Sequence, residues 1–260
     1  MAYSKAEPAA DKHGEPVARH RRRNSSVSAP LMFVVVIVSI IFVMSVFFRV
    51  SVIQVEGNTH YSDNEIIRAI DIEEGDNLFF FDRFAAISRV FAKLPYIEEV
   101  SVIRKLPNKV TIEVSESTAL AYLKLGDEMW TMDHNAKILG KAAADEVSSL
   151  FQVTGISPGT LLIGEQLTTS DGDTEIIEQL SQILFQIQER GLAYYTTLVD
   201  LTDGSDARLS YAGRYTVKLG NADNMEYKFG MFVSVLKQLG DGDVGMLDLS
   251  DGKTAHFMAE

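Results

Sequence analysis

Hydrophobic positions along the chain fall into three regimes. From Leu31 to Phe48, eighteen residues are nearly all Val, Ile, Phe, Leu and Met, and no charge occurs between Asn24 and Phe48. A helix of that length rises roughly 27 Å, close to the hydrocarbon thickness of a bilayer. A soluble core helix would show a polar face, so the run predicts a membrane span. The pattern then changes at once. Val50, Val52 and Val55 fit a strand, with Ile53 an imperfection in the alternation, and Gly57-Asn58 tolerates the positive φ of a turn.

A helical period follows. Ser62-x-x-Glu65 reads as a capping box ahead of Ile66, Ile67 and Ile70, with Gly75-Asp76-Asn77 expected to end the helix. Asp82 can cap a second helix, in which Phe84, Ile87, Phe91 and Leu94 predict one buried stripe and Pro95 a stop. Phe79-Phe80-Phe81 reads as core, with one side chain at most reaching outward. Val100 and Val102, a turn at Leu106-Pro107-Asn108-Lys109, and then Val110, Ile112 and Val114 predict a hairpin with one solvated face. The order is β-α-α-β-β.

Beyond residue 118 the periods alternate. "MWTMDHNAKILG" predicts two short strands around a turn, with Asn135 at the positive-φ position. Leu150, Phe151 and Val153 form a further apolar line. Asp173 or Thr174 opens a helix carrying Ile176, Ile177, Leu180, Ile183, Leu184 and Ile187, closed by Gly191. "TLVDLT", "ARLSYA" and "YTVKLG" read as strands. Met225, Phe229, Phe232, Val233, Leu236 and Leu239 mark another helix, and "GMLDLS" is expected as the last strand.

Composition sharpens this division. The 260 residues carry a net charge of −12, which argues against a nucleic-acid partner, since phosphate binding needs a basic footprint. Residues 1–30 nevertheless hold six Lys/Arg against three Asp/Glu, with Arg19, Arg21, Arg22 and Arg23 just before the apolar run. The positive-inside rule then predicts a cytoplasmic N-terminus and an extracytoplasmic remainder. A cleaved signal peptide would carry a shorter apolar core and a small-x-small site; the run ends Val46-Phe47-Phe48-Arg49-Val50, so a retained anchor is expected. The absence of cysteine removes disulfides and thiolate metal sites. The expected organisation is a disordered cytoplasmic tail at 1–30, a transmembrane helix at 31–48, a first module at 50–118, a second at 119–250 and a C-terminal tail at 251–260.

An anchor followed by "VIQVEGNTHYSDNEIIRAIDIEEGDNLFFFD" and then "LPYIEEVSVIRKLPNKVTIEVSES" resembles the POTRA domain of the bacterial division family FtsQ/DivIB. The similarity lies in the V-x-G-N turn, the G-x-N-L-F-F segment and the hairpin, in that order. The second module resembles the family's β domain, most clearly in "YTVKLG", the helix after it and "GMLDLSDG". The implied fold class is α+β: one transmembrane helix, a POTRA domain and a mixed α/β-sheet domain. Where the family often continues the last POTRA strand with Glu-Arg and a Pro, this chain has Glu116-Ser117-Thr118-Ala119.

Chemical motifs are poorly supported. "GISPG" at 155–159 fits G-x-S-x-G, but the residue after Ser157 is Pro158, which has no N–H for an oxyanion hole. "GDGDVG" at 240–245 fits a dinucleotide fingerprint with helix and strand in the wrong order. His13, His20, His60, His134 and His256 show no zinc-site spacing, and Asp171-Gly172-Asp173 and Asp241-Gly242-Asp243 lack a full calcium loop. No catalytic residue, cofactor, metal or small-molecule substrate is expected.

Recognition is therefore the expected function. Leu247 and Leu249 lie on one face of the last predicted strand and Asp248 on the other; that strand is expected at a sheet edge, open to strand addition, with Ser250–Phe257 as a short tail beside it. On this basis Leu249→Lys should weaken a partner and spare the fold. The resemblance implies that this end binds FtsB/DivIC-like and FtsL-like bitopic proteins through Leu247, Asp248, Leu249, Ser250 and Gly252. Phe257 is either an anchor for the partner or packs inward. The implied protein is a non-enzymatic divisome scaffold at the septum that links wall synthesis to the division ring. The alternative is a POTRA-bearing part of a secretion or outer-membrane assembly system, expected to bring a cleavable signal and a membrane β-barrel. A membrane-anchored hydrolase is a third class.

Overall fold

The computed structural model describes residues 28–240 and 242–259. Expectations for the basic tail, including the arginine cluster, His13 and His20, and for Asp241, lie outside the described residues. Two compact units divide at Phe47/Phe48. The first contains α1, Ser28–Phe47, twenty residues without a charged side chain. It is long and apolar enough to cross a membrane, and its large apolar side chains are exposed throughout its length.

The second unit begins at Phe48 and holds two sheets with separate cores. The smaller is built from β1 (Val52–Glu56), β2 (Ile97–Lys105) and β3 (Lys109–Glu116) in the order β1-β3-β2, with β1 parallel and β2 antiparallel to β3. Two helices connect β1 to β2: α2 (Asp63–Ile70) and α3 (Arg83–Lys93). The predicted capping box opens α2: the Ser62 side chain accepts from Glu65 N–H, and Ser62 N–H donates to Glu65 Oε2 at 2.8 Å. Asp71, left-handed at φ 59°, closes α2 four residues before the Gly75 expected to do so. Gly57 adopts φ +92°, and a side chain there would run into the Val114 carbonyl of β3, so this turn requires glycine.

The aromatic residues of this module depart from expectation. The Asp82 carboxylate caps α3 through the N–H groups of Phe84 and Ala85, and the buried stripe is Ala86, Val90 and Leu94, with Ile87 half-buried. Phe84 and Phe91 are 73% and 44% exposed. The predicted stripe followed the largest side chains, whereas the face turned into the core carries the smaller Ala86 and Val90 with Leu94. Phe79 and Phe80 also point outward, because fully buried Leu78 fills the core position and Asn77 Oδ1 turns the chain by accepting Phe79 N–H.

The larger sheet has nine strands: β4 (Ala121–Leu125), β5 (Glu128–Met132), β6 (Ile138–Ala142), β7 (Phe151–Thr154), β8 (Thr196–Asp200), β9 (Ala207–Tyr211), β10 (Tyr215–Gly220), β11 (Gly245–Asp248) and β12 (His256–Ala259). They lie in the order β12-β11-β10-β9-β8-β7-β4-β5-β6. Helices α4 (Thr174–Glu189) and α5 (Met225–Leu236) pack onto it through Ile177, Leu180, Ile183, Leu184, Ile187, Phe229 and Phe232. Asp173 caps α4 as predicted. The positive φ of the β5–β6 turn falls on Ala136 rather than Asn135, because the Asp133 carboxylate binds the N–H groups of both Asn135 and Lys137 and fixes the turn around the residue between them. The class is α+β, with an N-terminal apolar helix, a β-α-α-β-β module and a mixed α/β-sheet domain.

Candidate functional site

The sequence placed the recognition surface at the C-terminal end, and the structure rearranges it. After β10, helix α5 returns the chain so that β11 pairs parallel to β10, with Val217 opposite Leu247. A turn at Leu249–Ala255 reverses it, and β12 pairs antiparallel to β11, with Leu247 opposite Phe257 and Asp248 opposite His256. The edge is therefore β12 and not β11. Residues 256–259 form a strand where a short tail was expected. Strand character was hard to read there, since His256-Phe257-Met258-Ala259 contains no β-branched residue and neighbours only a polar turn.

The candidate residues separate accordingly. Leu247 and Leu249 are 1% and 0% exposed and belong to the core under α5. Leu249 cannot be a contact residue that leaves the fold indifferent to Lys, because an unpaired ammonium would be buried there. Asp248 is half-buried; its Oδ1 accepts from Ser250 N–H at 2.9 Å and Ser250 Oγ at 2.6 Å, and Lys218 Nζ lies 3.9 Å from Oδ2. Burial opposes ionisation of Asp248, but the Ser250 hydrogen bonds outweigh it and hold the carboxyl below its ordinary range. Ser250 is thereby a turn former. Phe257 is half-buried, packs on the core and meets the Tyr215 ring edge-to-face at 6.3 Å.

The turn itself is rigidly built. Asp251 is pulled down to about 2 by hydrogen bonds from the Thr254 hydroxyl, Thr254 N–H and Lys253 N–H. Gly252, at φ +63°, donates to the Leu249 carbonyl at 3.0 Å and approaches Asn224 and Lys228 of the α5 start. Lys228, absent from the predicted stripe, is 1% exposed, and its ammonium donates to the Asn221 carbonyl at 2.8 Å. Burial lowers its pKa, opposed by Asp223 and Asp251. The outcome is a fixed platform carrying a short strand. Among the described residues β12 has one sheet neighbour, and His256, Met258 and Ala259 are exposed.

A second cluster joins the two sheets. The Glu116 carboxylate at the end of β3 accepts from Thr59 N–H and Oγ1, both at 2.8 Å, and from the N–H groups of His60 and Tyr61. Burial works against its ionisation, and those donors from His60, Tyr61 and Thr59 more than compensate, so its pKa is lowered. One residue on, Ser117 Oγ donates to fully buried Asp133 at 2.8 Å. Lys137 lies 3.7 Å from that carboxylate and donates to the Ile97 carbonyl at 3.1 Å. The Glu-Ser-Thr-Ala departure noted in the sequence is thus the junction between the two sheets, held from both sides.

Of the motifs set aside in the sequence, "GISPG" has Ser157 in a loop where its carbonyl accepts Ser170 N–H and Pro158 bridges Thr169. His60 stacks on Tyr96 at 3.9 Å, and His134 faces Glu98 at 3.3 Å. An open groove of about 970 Å³ between α4 and α5 includes Ser181, whose hydroxyl donates to the Ile177 carbonyl rather than to a base. Among the described residues no group of His, Asp or Glu is arranged to hold a metal.

An apolar helix long enough to cross a membrane, ahead of a β-α-α-β-β module and a mixed sheet, is the layout of a POTRA-type protein with one N-terminal span. Comparison with known proteins is specific. Residues 48–117 match the family model described as POTRA domain, FtsQ-type. The chain is 26% identical over 236 residues to the cell division protein DivIB of Clostridium botulinum, covering 90% of this chain and 91% of that protein. It is 24% identical over 226 residues to DivIB of Bacillus subtilis, covering 86% and 80%. Over 213 residues it is 26% identical to the cell division protein FtsQ of Corynebacterium glutamicum, covering 80% and 88%. The chain is a homologue of the DivIB and FtsQ cell-division proteins, as its sequence resemblance implied, and this supports a role in division.

Proposed function

We propose that the chain is a non-enzymatic, single-pass scaffold of the bacterial divisome. Its N-terminus lies in the cytoplasm, and its POTRA and β domains lie outside the membrane at the septum. There it binds FtsB/DivIC-like and FtsL-like proteins and links septal wall synthesis to the division ring. The observation that carries this reading is the β11–β12 pair. A short edge strand with exposed His256, Met258 and Ala259 stands on a turn held by Asp248, Asp251 and Gly252. An edge offers unpaired N–H and C=O groups that a partner strand completes, a recognition mode that needs no reactive side chain. Leu247 and Leu249 support the edge from beneath, Asp248, Ser250 and Gly252 shape its turn, and Phe257 fixes β12 to the core.

The test is localisation of a fluorescent fusion of the full chain in dividing cells. Mid-cell enrichment that depends on the division ring is expected. A uniform envelope signal throughout the cycle would reject the scaffold.

A further inference from the structure

We propose that the anchor-proximal pole of the POTRA domain is itself a membrane-contacting surface, seating Phe80, Phe84 and Leu106 in the interfacial layer of the leaflet from which α1 emerges. The proposal rests on α1 being membrane-spanning. Covalent connection sets the distance. Phe48 follows the last residue of α1 directly, and it is already locked into the folded unit: Leu78 N–H donates to its carbonyl at 2.8 Å. Val50 exchanges backbone hydrogen bonds with Asp76 and Gly75, at 2.8 and 2.7 Å, and Arg49 bridges to Asn77. One residue spans at most about 3.5 Å, so the loop paired with residues 48–50 has almost no slack from the helix end. The Phe48 and Phe79 rings meet edge-to-face at 5.2 Å.

A second loop comes to the same pole. Ser51 N–H donates to the Asn108 carbonyl at 2.8 Å, and Val52, the first residue of β1, is opposite Lys109. The β2–β3 turn therefore sits beside the tether. Arg104 ties it to the aromatic loop: its guanidinium lies 4.6 Å from the Phe81 ring centroid and donates to the Phe81 carbonyl.

What these loops expose is the wrong chemistry for water. Phe80 is 65% exposed, Phe84 73% and Leu106 64%. Along the chain, residue 49, the stretch 73–83 and the stretch 104–109 carry Arg49, Arg83, Arg104, Lys105 and Lys109 against Glu73, Glu74, Asp76 and Asp82, five bases to four acids in a chain of net charge −12. Two of those acids are turned onto backbone N–H groups, Asp76 onto Glu73 and Asp82 onto Phe84 and Ala85. The Arg83 guanidinium lies 5.4 Å from the Phe84 ring centroid. Aromatic rings beside Arg and Lys, at the end of a span, are the composition of a membrane interface. Because the tether runs straight from a bilayer-crossing helix, lipid is the occupant this pole would meet first. Three contacts in addition to the helix would hold the domain in one orientation, with consequences for how the rest of the unit is presented.

The chain contains no cysteine, so single spin labels can be placed on the full-length protein in lipid nanodiscs through Val38→Cys, Phe80→Cys, Phe84→Cys and Tyr194→Cys. Paramagnetic relaxation by oxygen and by a water-soluble nickel chelate reports depth. Positions 80 and 84 should be several-fold less accessible to nickel than position 194, which is 85% exposed as Tyr. Equal accessibility would overturn the proposal. Position 38 separates the two readings: a hydrocarbon signal there with aqueous 80 and 84 rejects the contact alone, and an aqueous signal at 38 rejects the anchor as well. In a second measurement, Phe80→Ser with Phe84→Ser should raise nickel access severalfold at a Leu106→Cys label, and no change would also count against it.

Discussion

Replacing Leu249 with alanine distinguishes a core residue from a contact residue. Leu249 is fully buried in the large-sheet core, next to the point where Gly220 and Ser250 approach so closely that a Cβ on Gly220 would lie 2.9 Å from the Ser250 Cβ. Backbone this tight has little room to collapse into a cavity. Loss of transfer energy plus an unfilled cavity places Leu249→Ala at about 3 kcal/mol, within the usual range of roughly 2–5. For a folded unit of this size each kcal/mol lowers Tm by about 2–4 °C, so the expected drop is roughly 6–12 °C. The comparison is Met258→Lys on β12, 49% exposed, which should stay within about 0.5 kcal/mol of the parent. Thermal unfolding followed by circular dichroism on the full chain in nanodiscs reads both. If Leu249→Ala melts with the parent while its partner affinity falls, Leu249 is a contact residue and the burial argument is wrong.

Three other perturbations bear on the junction and the turns. Glu116→Ala should destabilise by about 1 kcal/mol at neutral pH, a figure already discounted for solvent around the carboxylate. Because the folded pKa of Glu116 is lowered, that contribution is present above the ordinary carboxyl range, near pH 4, and is lost as pH falls through the folded value; chemical denaturation at pH 7 and at acid pH should show the difference shrinking. Asp133→Ala leaves Ser117, Asn135 and Lys137 without their buried acceptor and should cost about 3 kcal/mol, with a double-mutant cycle against Ser117→Ala showing non-additivity in urea midpoints. Gly57→Ala forces a Cβ toward the Val114 carbonyl at φ +92° and should cost roughly 1–3 kcal/mol by the same denaturation measurement.

Much of the architecture was legible because local chemistry and tertiary packing agree. The Ser62–Glu65 box, the Asp82 and Asp173 caps and the β2–β3 hairpin each use short-range signals that the folded unit keeps. The failures share a cause. Periodicity weights large apolar side chains, so it assigned Phe84 and Phe91 to the interior when the buried face carries Ala86 and Val90 instead. It also took the Leu247 strand for an edge, because nothing in four residues without β-branching announced that β12 would pair alongside it. Lys228 was illegible for the opposite reason: a charged residue on a buried face is readable only once the Asn221 carbonyl that accepts its hydrogen bond is in place. The C-terminal segment does end at a sheet edge, but the edge strand is β12, one strand beyond the one expected.

Amide hydrogen exchange across Gly245–Ala259 of the full chain, with and without a DivIC/FtsB-like partner, tests the central claim most directly. Strand addition predicts that binding slows exchange at outward-facing N–H groups of β12, while the buried platform of β11 changes little. Binding that leaves His256–Ala259 exchanging as in the free protein would contradict the account.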